Sequence, residues 1–158
     1  MKTSVANIDR SIEQKRKNLF FPEGIIGFEE YKDYSIKKDK SKEPFYWLES
    51  DNNPEVSFIV IDPEEFYPNY KVILSDADKL ALETDDIEQC QVLSIVSVPQ
   101  GSDKITANLL APILINKETK AGKQIILQDE DYSVQHLILE EMIKNTEEKN
   151  VSTFTQTK

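Results

Sequence analysis

The eleven residues from Thr106 to Asn116 contain no Asp, Glu, Lys, Arg, His or Cys, and a single proline, Pro112, interrupts them. A short apolar run bounded by polar residues predicts a buried β-strand. Because proline has no N–H to donate to a sheet ladder, we expect this strand to be broken once, at a bulge or an edge position. The segment therefore predicts a sheet whose core contains one local interruption.

The chain of 158 residues is long enough for one domain with a single core. Apolar residues make up 39% and charged residues 30%, which is typical of a globular rather than a disordered protein. The sequence has no run near the ~18 apolar residues that a membrane span needs, and residues 1–7 lack the apolar region of a signal peptide. One cysteine, Cys90, excludes an internal disulfide. We expect a cytoplasmic protein with one domain over 1–143 and a flexible tail over 144–158.

Short strand-like segments separated by turn residues predict an all-β, mainly antiparallel, compact β-barrel-like domain. The predicted strands are 45–48, 56–61, 70–74, 91–98, 124–127 and 132–139. Ser75 precedes Asp78 by three residues, a helix N-cap signal that predicts one short helix ending near Leu82. Residues 132–139 also fit a helix, and periodicity alone does not decide. Residues 37–42 are expected to form a charged loop.

The net charge of −10 is unevenly distributed along the chain. Residues 1–42 carry ten basic and seven acidic side chains, whereas residues 43–158 carry nine basic and twenty-two acidic ones. Such a body repels phosphates, so direct binding to nucleic acid is not expected. The same field would steer a basic protein toward the chain, although the acids could equally serve only solubility.

The sequence does not favour metal or cofactor binding. It contains one histidine, His136, and one cysteine, forty-six residues apart, whereas a zinc site needs three or four local ligands. The acidic run 129–131 lacks the glycine and the terminal glutamate of a calcium loop. Only four glycines occur, and none of them builds a phosphate-binding loop. No cofactor is therefore expected.

Catalysis also lacks a recognisable constellation of residues. Cys90 opens an apolar strand, where a buried, inert thiol is the usual occupant. Two adjacent carboxylate pairs, 64–65 and 85–86, permit the hypothesis of a small hydrolase that uses carboxylates. Both pairs fall in turn-rich segments that favour solvated surface acids. The sequence therefore predicts a binding protein rather than an enzyme.

Residues 62–70 combine acids, two prolines and three aromatics. Phe66 and Tyr67 could form a satellite core under the loop or act as anchors for a partner, since aromatic residues dominate interface energetics. The sequence leaves both alternatives open.

An ordered set of motifs then suggests a family. The motifs are Phe21–Glu29 (FPEGIIGFE), Pro44–Ser50 (PFYWLES), Phe58–Pro63 (FIVIDP), Phe66–Tyr70 (FYPNY), Leu74–Asp78 (LSDAD), Thr106–Asn116, Gly122–Leu127 (GKQIIL) and Tyr132-Ser133. Together they cover about residues 19–136, and the set resembles the bacterial flagellar assembly factor FliW family.

This resemblance implies a compact antiparallel β-barrel-like domain that is not an enzyme and is monomeric when free. It implies two alternative protein partners, the RNA-binding translational repressor CsrA and flagellin. In the family, cytoplasmic flagellin occupies FliW and leaves CsrA free to repress flagellin translation. Once flagellin is secreted, FliW sequesters CsrA through a surface away from the RNA-binding site. A flagellin-dedicated chaperone without CsrA binding is the alternative.

The residues of the partner surface are a separate expectation. We expect an acidic and aromatic rim formed by Asp62, Phe66, Tyr67, Asp85, Asp86 and Glu88. Asn108 is either a polar contact of this rim or a residue whose side chain satisfies backbone groups beside Pro112.

Overall fold

The computed structural model describes residues 18–101 and 104–138; the expected flexible tail and most of the lysine-rich N-terminal segment lie outside these ranges. The strands are β1 (Leu19–Phe20), β2 (Asp33–Lys38), β3 (Phe45–Ser50), β4 (Ser57–Ile61), β5 (Cys90–Ser97), β6 (Thr106–Ala107), β7 (Ile113–Asn116), β8 (Gly122–Gln124) and β9 (His136–Leu137). Helix α1 spans Asp76–Leu82, and short 3₁₀ helices lie at Lys40–Lys42, Pro63–Glu65 and Ile87–Gln89.

The strands form one sheet in the order β1-β2-β3-β4-β5-β6-β9, and the hairpin β7–β8 joins it through β5. Every named strand pair is antiparallel, as predicted. The predicted all-β, mainly antiparallel fold with one short helix is confirmed, although the sheet formed by the described residues does not close into a barrel. A single bridge between Phe20 and Ala121 connects β1 to the start of β8, without a continuous ladder.

Strand β1 and strand β8 nevertheless approach closely. The amide of Phe20 donates to the carbonyl of Lys120 at 3.0 Å. A Cβ added to Gly122 would lie 2.6 Å from the Phe21 ring atom Cζ, so only glycine leaves room for that buried ring.

The apolar run Thr106–Asn116 forms two strands, β6 and β7, separated by one interruption. Ala107 lies opposite Val96, and Ile113 lies opposite Leu93. The two residues on β5 are three positions apart, whereas their partners are six positions apart. The segment between Ala107 and Ile113 therefore contains three extra residues around Leu109. The predicted break in a buried strand is confirmed, and Ile113–Asn116 is buried throughout.

Three apolar clusters form the core. One fills the space between β2, β3 and β4, the second lies beneath the segment after β4, and the third lies under helix α1. Their most buried members are Phe21, Tyr34, Leu48 and Val60; Phe66, Leu109 and Ile138; and Leu82, Leu114 and Ile125. Burial raises the pKa of the Tyr34 phenol to about 12, because the ionised form would lose its hydration.

Helix α1 begins as the sequence predicts. The Ser75 hydroxyl accepts from the Asp78 amide at 3.1 Å, and the Asp78 carboxylate accepts from the Ser75 amide at 3.0 Å. This reciprocal pair satisfies two N–H groups that the helix itself cannot bond. Leu82 then ends the helix in the core, fully buried.

Three predicted strands differ from the observed ones. Residues 70–74 do not join a ladder, so that strand prediction is wrong. The return strand ends at Gln124, although Ile125 and Leu127 continue to donate to the carbonyls of Pro112 and Leu110. The last predicted strand shortens to β9 and pairs with β6, so residues 136–137 are strand rather than helix.

Strand β2 was not predicted from the sequence. Its residues 37–38 belong to the segment expected to be a charged loop. The Lys37 ammonium lies 3.5 Å from the Glu49 carboxylate on β3, so the neighbouring strand compensates the charge.

Candidate functional site

Asp62 and Glu88, two of the acids expected at the partner surface, line one open cavity of about 530 Å³. Glu64 joins them, and we call the space bounded by these three carboxylates the acidic cavity. Asp62 follows β4, whereas Glu88 lies in the 3₁₀ helix just before β5. Because β4 and β5 are antiparallel neighbours, the end of one strand meets the beginning of the other, which brings the two acids together.

Asp62 has a structural role as well as a charge. One carboxylate oxygen accepts from the Glu64 amide at 2.9 Å and caps the 3₁₀ helix Pro63–Glu65. The other lies 3.5 Å from the side-chain amide nitrogen of Gln91 on β5. Asp62 is therefore held in place, while Glu64 and Glu88 are exposed, and their carboxylates accept no hydrogen bond from any residue that the structure describes.

Two lysines also line the acidic cavity. Lys117 enters from the turn after β7, where its ammonium donates to the carbonyl of Glu88 at 3.3 Å. Lys71 lines the same cavity. Apolar side chains complete the lining, among them the half-buried Val92 and Ile87. The cavity thus combines charges of both signs with apolar side chains, a composition suited to contact with another protein.

Asp85 and Asp86 are exposed but do not line this cavity. The Asp86 carboxylate accepts from the Glu88 amide at 2.9 Å and caps the 3₁₀ helix Ile87–Gln89. It therefore orients Glu88, whereas Asp85 contributes charge to the same edge of the molecule.

The aromatic residues expected at the rim lie in the second core cluster. Phe66 is 1% exposed, so its ring cannot anchor a partner while the fold is intact, and the satellite-core alternative applies to it. The half-buried Tyr67 ring has its centroid 5.5 Å from His136 and 5.7 Å from Tyr132. Phe66 stacks on the other side of His136 at 5.7 Å. These rings attach the loop after β4 to β9.

Tyr70 belongs to the same cluster and fixes the extra residues opposite β5. Its hydroxyl donates to the carbonyl of Leu109. Burial raises the pKa of this phenol, so it stays protonated and continues to donate at neutral pH.

Asn108 satisfies backbone groups, which is one of its two expected roles. Its side-chain oxygen accepts from the amides of Leu110 and Ala111, at 3.1 and 2.9 Å. These hydrogen bonds fix the backbone of the interruption beside Pro112. Asn108 does not line the acidic cavity.

Three residues that line the acidic cavity were not predicted as binding residues from the sequence: Glu64, Gln91 and Lys117. Glu64 carried a signal, because it stands in the acidic run after β4. Lys117 carried none, since only the register of β7 against β5 places it beside Glu88.

The chemistry available at this surface is limited. Within residues 18–101 and 104–138, no group of three or more His, Cys, Asp or Glu side chains is placed to hold a metal ion. Cys90 lines the cavity, where burial raises the pKa of its thiol and disfavours the nucleophilic thiolate. All four residues of the carboxylate pairs 64–65 and 85–86 are exposed.

None of the helices in the described part of the chain has the length and apolar character that crossing a membrane requires.

Comparisons with known proteins agree on one family. A sequence model described as the FliW protein matches residues 3–138, which extends the resemblance seen in the motifs to the N-terminal segment. A flagellar assembly factor FliW from Caldanaerobacter subterraneus subsp. tengcongensis is 42% identical over 125 residues, covering 78% of this chain and 83% of the relative. A second, from Leptospira interrogans serovar Lai, is 40% identical over 127 residues, covering 80% and 85%.

A solved structure supports the same conclusion at the level of the fold. A crystal structure of the flagellar assembly factor FliW superimposes with a TM-score of 0.72 at 32% identity, covering 78% of this chain and 86% of that one. With the family model matching most of the chain, this protein belongs to the FliW family of flagellar assembly factors.

Proposed function

We propose that this protein is a cytoplasmic, non-enzymatic regulator that binds CsrA and flagellin in alternation during flagellum assembly. The observation that carries the proposal is the acidic cavity, where three carboxylates and two lysines line one space together with apolar side chains, on a chain of net charge −10. Membership of the FliW family supports the flagellar context.

The electrostatics suit CsrA as one partner. A protein that holds RNA carries basic side chains, and an acidic surface accelerates its encounter with such a protein. Glu64 and Glu88 are exposed and can approach a basic side chain directly, while Asp62 and Asp86 hold the flanking backbone in place.

The alternation follows if the two partners share or couple one surface. Flagellin that accumulates before secretion occupies the protein, and CsrA remains free to repress translation of flagellin mRNA. Secretion of flagellin releases the protein, which then binds CsrA and relieves the repression. Each partner thereby lowers the apparent affinity for the other by the same factor.

A competition experiment tests this function. The purified protein, CsrA and flagellin from the same organism are mixed in pairs and together at micromolar concentrations, and complexes are separated by size exclusion. We expect a complex with each partner and displacement of CsrA by excess flagellin. Independent elution of both partners contradicts the proposal, and a complex with flagellin alone identifies the dedicated chaperone instead.

A further inference from the structure

The segment Lys71–Leu74 has the side-chain pattern of a strand but pairs with no strand of the described residues. Burial alternates along it, with Val72 and Leu74 half-buried and Lys71 and Ile73 exposed, as in an extended chain. The Ile73 side chain is 85% exposed. Within the ranges 18–101 and 104–138, the backbone groups of residues 72–74 make no hydrogen bond. An extended segment with free donors and acceptors is a template for another strand.

A second extended segment lies across from it. Residues 125–127 continue the course of β8, and the amides of Ile125 and Leu127 donate to the carbonyls of Pro112 and Leu110. Backbone groups alternate in direction along a strand, so those of Ile126, between them, face away from that ladder. Ile126 is 61% exposed, and its amide makes no bond in the described parts of the chain.

A cavity of about 800 Å³ lies between the two segments; we call it the strand slot, lined by residues 71, 73–75, 78 and 123–129 together with Tyr132. The Lys71 amide donates to the Tyr132 hydroxyl at 3.0 Å, and therefore points into the slot. Two residues further along an extended chain, the Ile73 amide points the same way. Unbonded backbone groups thus face the slot from both walls.

We infer that the strand slot receives an extended segment of a basic partner protein, which pairs its backbone with Ile73 on one wall and Ile126 on the other. A segment of four residues spans ~13 Å, comparable with the walls of four or five residues on either side. The partner supplies a strand that no described residue of this chain supplies beside the slot, and the exposed isoleucines contact its alternate side chains.

Charge selects the occupant. A second copy of this chain would bring a net charge of −10 against an equal charge, which opposes association. At the edge of the slot, residues 129–131 carry three exposed carboxylates, of which Asp129 also lines the slot. Lys71 and Lys123 balance Asp78 and Asp129 in the lining itself, so the preference for a basic partner comes from this rim and from the whole chain. CsrA is that basic partner, an assignment that rests on the proposed function.

The test separates backbone pairing from side-chain contact. Ile73→Pro removes the amide that faces the slot but breaks no hydrogen bond of the described fold, whereas Ile73→Ala keeps the amide and removes the side chain. Ile126→Pro and Ile126→Ala form the matching pair on the other wall. Val98→Ala, at a 53% exposed position outside the slot lining, is the control. Thermal unfolding establishes that each variant is folded.

Affinity for CsrA is measured by calorimetry, and amide hydrogen exchange is followed on the wild-type protein with and without CsrA. We expect each proline variant to bind about tenfold more weakly, the alanine variants to lose at most about threefold, and the control to be unchanged. The amides of Ile73 and Ile126 should become protected in the complex. The hydrogen-exchange measurement uses only the wild-type protein. It therefore tests backbone pairing even if a proline variant does not fold.

The failures are distinguishable. If CsrA does not bind the wild-type protein, the proposed function and this inference both fall. Binding that leaves the two isoleucine amides unprotected, or that the proline variants do not weaken, overturns only the inference. Protection that requires flagellin, or that rises with the concentration of the protein alone, assigns the slot to flagellin or to a second copy and also overturns it.

Discussion

The Lys123 ammonium lies 2.9 Å from the Asp78 carboxylate and 3.5 Å from the Glu23 carboxylate, so one side chain of β8 joins the first turn of α1 to the turn after β1. The Lys123 and Asp78 side chains are 15% and 14% exposed. Burial disfavours the charge on Asp78, but the hydrogen bonds from Lys123 and Ser75 outweigh it and lower the pKa of that carboxyl. Burial opposes the charge on Lys123 as well, yet Asp78 and Glu23 raise the pKa of its ammonium.

Asp78→Asn should destabilise the protein by about 1–2 kcal/mol at pH 7, because it removes the charge-assisted bond to Lys123. The side-chain amide oxygen of the variant can still accept from the Ser75 backbone amide. Because the pKa of Asp78 is lowered in the folded protein, its contribution to stability is present above the unfolded-state pKa near 4. This contribution is lost as the pH falls through the folded-state pKa. The raised pKa of Lys123 means that the contribution also disappears as strongly alkaline pH crosses its folded value. Urea unfolding across pH 3–8 measures the acid side.

Asp76→Asn is the control for this experiment, since Asp76 occupies the same helical turn, is exposed and forms no ion pair with the residues that the structure describes. Its cost should stay within a few tenths of a kcal/mol, from the helix dipole alone. Equal losses for the two variants, or a loss at Asp78 that does not shrink in acid, would show that the ion pair adds nothing beyond the cap.

Asn116→Ala should cost about 2–3 kcal/mol of unfolding free energy, because it leaves buried backbone groups without partners. The Asn116 side chain is 1% exposed and donates to the Leu82 carbonyl at 2.8 Å. Its oxygen accepts from the amides of Glu118 and Thr119, at 2.9 and 3.2 Å. One side chain therefore joins the end of α1 to the turn between β7 and β8. Denaturant unfolding measures the loss.

Asn69→Ala is the matched substitution, at an exposed asparagine in the loop after β4. It should change the unfolding free energy by no more than about 0.5 kcal/mol. A similar small change at position 116 would mean that water replaces the Asn116 bonds without cost.

Cys90 should react with a disulfide reagent ~100-fold more slowly in the folded protein than in guanidinium, because burial limits access and raises the pKa of the thiol. The chain contains one cysteine, so the absorbance of the released thiol reports a single site. The unfolded chain provides the internal control. Reaction of the native protein at the unfolded rate would contradict the burial of this thiol.

The sequence predicted correctly those secondary-structure elements that are determined by neighbouring residues alone. The cap of α1 requires only Ser75 and Asp78, and the central strand β4 requires only its two apolar faces. Strand β2 escaped prediction because its charges are compensated across the sheet: the Glu49 carboxylate, which lies opposite Ser35, reaches the Lys37 ammonium diagonally at 3.5 Å. Residues 70–74 show the converse, since the alternation of their side chains is as predicted but a ladder also requires a second strand.

The same distinction applies to the site. Asp62 and Glu88 could be proposed from charge, and their meeting depends on the pairing of β4 with β5. Phe66 is an aromatic residue of the kind that anchors a protein partner, yet tertiary packing against His136 buries it. Lys117 reaches the cavity through the register of β7, which no property of its own sequence neighbourhood specifies.

Replacing Glu64 and Glu88 by lysine should slow association with CsrA about tenfold at low salt and flatten its salt dependence, with a smaller effect on dissociation, because exposed acids act mainly by steering. Both side chains line the acidic cavity and neither caps a helix, so the fold should be retained. Glu30→Lys with Glu55→Lys changes the net charge equally, at exposed positions outside the cavity. Stopped-flow association rates at several salt concentrations compare the two pairs. If both pairs slow association equally, only the total charge matters and the cavity is not where CsrA approaches.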